Sequence, residues 1–219
     1  MTPDFEKAAL KATETLIEYN VSFAPIAPLP ILKSMPDVIV LSYAETAEIM
    51  GIDRNRAICL FGNENHDAVT NLKRVDGKLR YIVSYNQMLP IYLVQRCLAR
   101  ELGHIVLQHD GSRSQEVRYQ EAICFTQHFL CPRALIKGLS DAGIKITTEV
   151  VGNITGCYER CLAGMQQTPG VHVPKELNRK VKEQFSAYID NFVDVQRLLK
   201  GADVSMIANF GSFMDGYEE

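Results

Sequence analysis

The sequence predicts an α+β fold in which a small sheet is followed by, and packed on, helices. Three observations lead there. Asp76-Gly77 is a strong hairpin signal between two strand-like runs. The chain opens on a helix-like segment. From Pro90 onward, segments with helical apolar spacing follow one another to about Leu199.

Each element has a local reason. Phe5, Ala8, Ala9, Ala12, Leu16 and Tyr19 recur at three- and four-residue steps, which predicts an amphipathic helix over 4–19. A segment with Pro25, Pro28 and Pro30 follows, ending in one short helical turn, ILKSM. Val38-Ile39-Val40-Leu41 reads as a strand, and 44–50 as a short helix closed by Gly51. The apolar run 57–61 reads as a strand entering the polar loop GNENHD, where Gly62-Asn63-Glu64-Asn65 makes a turn. The hairpin strands are 68–74 and 79–85. Pro90 opens a helix over 91–108 that Asp110-Gly111 stops. A second helix spans 114–129, RALIKGL adds a turn after Pro132, and Thr147 or Thr148 caps a helix to about Ala163. Thr168-Pro169-Gly170 is the clearest break. It divides a domain over 1–165 from a helical C-terminal extension over 171–219, in which Pro174 starts a long amphipathic pattern.

Composition narrows the function. The 219 residues are 47% hydrophobic and 22% charged, ordinary for a globular protein. A net charge of -3 gives no basic field for nucleic acid or an anionic membrane. The basic run KELNRKVK, 175–182, reads as a solvated helix face, and 146–163 is too acidic for a DNA-reading helix. None of the six cysteines forms a C-x-x-C pair, so they read as small core residues, Cys157 and Cys161 included. With neither a signal-peptide pattern nor an apolar run near ~20 residues, the expectation is a cytoplasmic protein without a membrane partner.

The chemistry lies in Arg100-Glu101-Leu102-Gly103-His104. In H-E-x-x-H on a helix, residues four apart stack, so two imidazoles reach one metal while the glutamate activates its water. Here arginine stands at the first histidine. Around it, YIVSYNQMLP precedes the helix, RCLARELGHIVLQH forms it, and Glu121-Ala122, Phe125 and FLCP follow. With these segments the chain resembles the ImmA/IrrE family of zinc metallopeptidase-like proteins from residue 4 to about 164. Asn86 and Arg96 fit the family pattern.

That resemblance implies a zincin-like fold with a mixed or antiparallel sheet. It places the general base on Glu101, the second zinc histidine on His104 and the third ligand on Glu121. Arg100 replaces the first histidine, and Ile123 stands where the family has asparagine. A guanidinium has no lone pair to give a metal. The expectation is therefore no cofactor, with Arg100 bridging Glu101 and Glu121 by charge-assisted hydrogen bonds of roughly 1.5–3 kcal/mol each. Cys124 or His128, on the Glu121 helix, are substitute ligands under an alternative in which zinc binds. His109, five residues past His104, is expected to face elsewhere and ease the helix dipole; His66 and His172 are expected to be solvated.

Two functions follow. One is a catalytically impaired pseudoenzyme that binds a protein or peptide partner, with the hairpin edge over 68–85 as its rim. The resemblance implies a DNA-binding repressor of mobile-element or stress genes as that partner. The alternative is an active zinc metalloendopeptidase cleaving a regulatory protein.

Overall fold

A computed structural model describes residues 2–61, 67–110, 112–156 and 171–201. The turn over 62–65, His66, Cys157, Cys161, the helix end near Ala163, the break at 168–170 and the last residues of the extension lie outside these. Among the described residues the fold is α+β and mostly helical, with one three-stranded mixed sheet. No described helix is long and apolar enough to cross a membrane.

The opening helix α1 (Phe5–Glu18) starts on Asp4, whose carboxylate accepts from the Lys7 amide at 2.9 Å. Ala8, Ala9, Ala12 and Leu16 are buried on one face, as their spacing predicts. The turn expected at ILKSM is a full helix α2 (Pro28–Ser34), because Pro28 occupies its first turn where a missing N–H costs nothing. β1 (Val38–Ser42) leads into α3 (Tyr43–Met50) through a capping box between Ser42 and Glu45, and Gly51 ends that helix at φ 61°.

The strand expected over 57–61 is instead part of a helix, α4 (Arg54–Phe61). Asp53 accepts from the Arg56 amide at 3.0 Å and starts the helical turn. A short apolar run alone does not distinguish strand from helix. Cys59, on this helix, is exposed and so is not the core residue expected, whereas Cys97, Cys124 and Cys131 are buried.

The hairpin forms as expected from β2 (Ala68–Val75) and β3 (Lys78–Tyr85), with Asp76 and Gly77 at φ 51° and 75°. Strand order is β1-β3-β2, with β1 parallel and β2 antiparallel to β3. β2 is therefore an edge strand. The pairing of Ala68 with Tyr85 and of Thr70 with Val83 sets the buried face, and Ala68 and Val83 are fully buried there.

Helices α5 (Ile91–Val106) and α6 (Gln115–Leu130) make the centre of the molecule. α6 packs between α1 and α5, and α5 lies against β2 and β3. α7 (Arg133–Asp141) and α8 (Thr148–Thr155) follow, the latter capped by Thr147 and ended by Gly156 at φ 64°. The amphipathic pattern after Pro174 is two helices, α9 (Lys175–Gln184) and α10 (Ser186–Gly201), broken at the buried Phe185. α9 packs on α1 and α7. The Gln184 amide donates to the carbonyls of Leu16 at 2.8 Å and Val21 at 2.6 Å, which ties the extension to the end of α1.

Gly103 sets the α5–α6 spacing. A Cβ there would lie 2.9 Å from Cδ1 and 3.2 Å from Cβ of Phe125, so what approaches is a side-chain ring. Phe125 is fully buried and stacked on Phe129, with centroids 5.7 Å apart, and has no room to withdraw. Gly103→Ala should therefore lower stability by about 1–2 kcal/mol in urea denaturation, overpacking outweighing the gain in helix propensity. A stabilised variant would show that the ring yields.

Candidate functional site

Arg100, Glu101 and His104 project from α5, and Glu121 from the first half of α6. The structure gathers them into two networks side by side.

The first network surrounds Arg100. Its guanidinium forks onto Asp67, with Nη1 to Oδ2 at 2.9 Å and Nη2 to Oδ1 at 3.2 Å. Nη2 also donates to the Ala68 carbonyl at 3.0 Å. Nε and Nη2 both donate to Oε1 of Glu101, at 3.0 and 2.8 Å. Arg100 thus bridges Glu101 to Asp67, not to Glu121 as expected. The reason is position: Asp67 sits at the start of β2, which packs across α5 at this turn.

These charges are largely removed from water: the side chains of Arg100, Asp67 and Glu101 are 12%, 18% and 4% exposed. Burial opposes the charge on Arg100, but Asp67 and Glu101 outweigh it and hold the guanidinium protonated. Burial pushes the Glu101 carboxyl up, and the two hydrogen bonds from Arg100 oppose that shift. The Thr70 hydroxyl lies close enough to favour the carboxylate, though it makes no hydrogen bond. Tyr43 and Cys97 border the same cluster. Burial first, then the neighbouring Asp67, pushes each to about 12, so both stay protonated.

The second network runs through His109. Its Nδ1 lies 2.8 Å from Nδ1 of His104, and its Nε2 lies 2.9 Å from Oε2 of Glu121. The expectation that His109 faces elsewhere assumed a helix continuing to residue 108. α5 ends at Val106, and Gln108 takes the left-handed conformation at φ 54°. The Gln108 amide then donates to the Ile105 carbonyl and the His109 amide to the His104 carbonyl, both at 3.0 Å. That is a Schellman reversal, and it swings His109 back over His104.

Glu121 receives two further donors: the Asp4 backbone amide at 2.8 Å and the Arg113 guanidinium. With a carboxylate accepting at one end, the tautomers follow. His109 donates from Nε2 to Glu121 and accepts at Nδ1 from His104. His104 is left with its lone pair on Nε2. Burial, then His109, Arg100 and Arg118, drive the His104 pKa down to about 3, so the ring is neutral. Burial also lowers His109, against the pull of Glu121.

These residues do not fit zinc. The metal needs at least three donors converging on one point. Here His109 stands between His104 and Glu121, so the three lie in series. Among the described residues no three His, Cys, Asp or Glu side chains converge as a metal requires. Arg100 and Arg118 flank His104 with positive charge, which disfavours a divalent cation. The substitutes lie elsewhere. Cys124 directs Sγ to the Phe5 carbonyl at 3.5 Å, and burial pushes its thiol up to about 12. His128 lines a separate cleft near α9.

Asp67, His109, Arg113 and Asp4 are thus site residues that sequence reading did not assign. Asp67 carried a weak signal, as the last residue of a polar loop before a strand. His109 carried none, because glutamine at the reversing position does not announce a helix end. The chain matches no family model, no curated protein and no solved structure.

Two outcomes follow. Arg100→Met should cost about 3–5 kcal/mol in urea denaturation, because it leaves Glu101 and Asp67 without their shared cation. A cost under about 1 kcal/mol would mean that the carboxylates find other partners. Gln108→Gly should raise stability by roughly 0.5–1 kcal/mol by relieving the left-handed backbone, with the His104 and His109 NMR resonances unmoved. Destabilisation would mean that the glutamine side chain matters more than its backbone.

Proposed function

We propose that this chain is a metal-independent pseudoenzyme with the zincin-like fold of the ImmA/IrrE proteins, acting by holding an extended segment of a protein partner along β2. The observation that carries the reading is the Arg100 guanidinium fixed between Asp67 and Glu101. It occupies the first metal-ligand position with a group that cannot ligate, and it commits the general-base position to an ion pair.

A peptide-binding role needs an edge strand beside the old catalytic helix, and β2 is such a strand. The buried face of the hairpin also runs on beyond the core. Leu72 and Leu79 lie on the same face as Ala68 and Val83, yet are 48% and 55% exposed. A strand added to β2 would cover part of this apolar surface. Lys73, Arg74, Lys78 and Arg80 surround it against Asp76 alone, which favours an acidic segment. By the resemblance, that segment would belong to a DNA-binding repressor.

Elemental analysis tests the reading. Purified protein should carry far less than stoichiometric zinc, and zinc bound by Arg100→His but not by the parent would support the reading. Near-stoichiometric zinc in the parent, or chelator-sensitive peptide cleavage by it, would establish the competing zinc metalloendopeptidase reading, with Glu101 as base and His104 and Glu121 as ligands.

A further inference from the structure

Successive residues of an antiparallel ladder alternate between bonding the neighbouring strand and facing away from it. Hydrogen bonds around the hairpin fix the phase of that alternation in β2. The Asn86 amide, just past β3, donates to the Asp67 carbonyl at 2.7 Å. The Tyr81 amide, opposite Leu72, donates instead to the Asp37 carbonyl on the β1 side at 2.8 Å. Val69, Asn71 and Lys73 therefore bond β3, whereas Ala68, Thr70, Leu72 and Arg74 turn their N–H and C=O groups to the outer edge. At Ala68 both groups are taken, the carbonyl by Arg100 Nη2 at 3.0 Å and the amide by Asp67 Oδ1 at 2.6 Å. At Thr70, Leu72 and Arg74 no described group bonds the backbone on that edge.

The two faces of this edge differ in chemistry. Leu72 shares a face with Ala68, yet it is half exposed. Lys73 lies on the other face, directly opposite Arg80, and the Val75–Lys78 pair follows on the same side. Like charges set opposite each other across a ladder destabilise it. Among the described residues none of Lys73, Lys78 and Arg80 forms an ion pair that would offset this.

Resting on the reading of β2 as the partner's edge, we propose that the partner strand pairs through Thr70, Leu72 and Arg74, and that β2 selects a segment whose side chains alternate between apolar and acidic. Side chains paired across a ladder share a face. A partner residue opposite Leu72 therefore covers its exposed apolar surface, and the residues on either side of it point to the Lys73 face. A carboxylate there offsets the repulsion between Lys73 and Arg80, which a neutral or basic side chain does not. Pairing stops at Thr70, because Arg100 and Asp67 occupy the edge groups of Ala68. Arg100 thereby marks where the partner strand ends.

NMR titration of the full chain with capped peptides tests it, using Val-Glu-Val-Glu-Val, its block isomer Val-Val-Val-Glu-Glu, and Val-Lys-Val-Lys-Val. The alternating acidic peptide has the same residue order in either strand direction. It should bind saturably with Kd of about 1 mM or tighter, and about tenfold more tightly than the other two. Amide exchange should slow at Thr70, Leu72 and Arg74 and stay unchanged at Ala68. N-methylation of the central valine, whose amide faces β2, should abolish binding, and N-methylation of a glutamate should not. Lys73→Glu, at an exposed position, should weaken the acidic peptide about tenfold and favour the lysine peptide. Equal affinity for the block isomer or the lysine peptide, binding that survives N-methylation of the central valine, or unchanged affinity in Lys73→Glu would overturn the selectivity while leaving a peptide on β2. No shift along β2 with any of the peptides would remove β2 as the partner's edge, and the selectivity with it.

Discussion

A buried guanidinium governs this molecule. Arg100 sits on the innermost helix, and its charge cannot be left uncompensated away from water. Asp67 and Glu101 supply the compensation. Asp67 can do so only if β2 begins where it does, across that turn of α5. The register of the hairpin, the packing of the sheet on α5 and the burial of Glu101 are thus linked through one side chain. Zinc would place the corresponding positive charge at the centre of a ligand sphere. Here the charge is covalently part of the helix and reaches sideways to the sheet.

The neighbouring network obeys the same rule with different parts. Glu121 is buried and receives an imidazole, a guanidinium and a backbone amide. Its partners come from the start of α1 and from the α5–α6 connection, which supplies both His109 and Arg113, so a single carboxylate on α6 ties these two segments to its own helix. Each network sets a guanidinium against its buried carboxylates, Arg100 against Asp67 and Glu101, and Arg113 against Glu121. The hydrogen bonds from Arg100 to Asp67 and to the Ala68 carbonyl hold the start of β2 against α5.

Much of the architecture was legible in the sequence. α1, β1, α3, the hairpin, α5, α6 and the Thr147 cap each had a periodic or punctuating signal, and each formed within a few residues of its expected range. Residues 57–61 were misread because an apolar run of that length suits either element, and the capping role of Asp53 decided it. The site was half legible. Arg100, Glu101, His104 and Glu121 do lie on adjacent helices, but Arg100 chose a partner far away in the chain. His109 was hidden because a glutamine adopts the backbone conformation that glycine normally signals. Long-range charge pairing and unsignalled chain reversal are the two things that local pattern does not encode.

The Asp4 amide has one more consequence. It is both the start of α1 and a donor to Glu121 in the interior. Opening the first turn of α1 therefore strips the carboxylate of a donor, while displacing the carboxylate frees that turn. Solvent deuterium uptake at this one amide would report whether a carboxylate more than a hundred positions away in the chain is still in place. The first turn of α1 serves as a gauge of the interior.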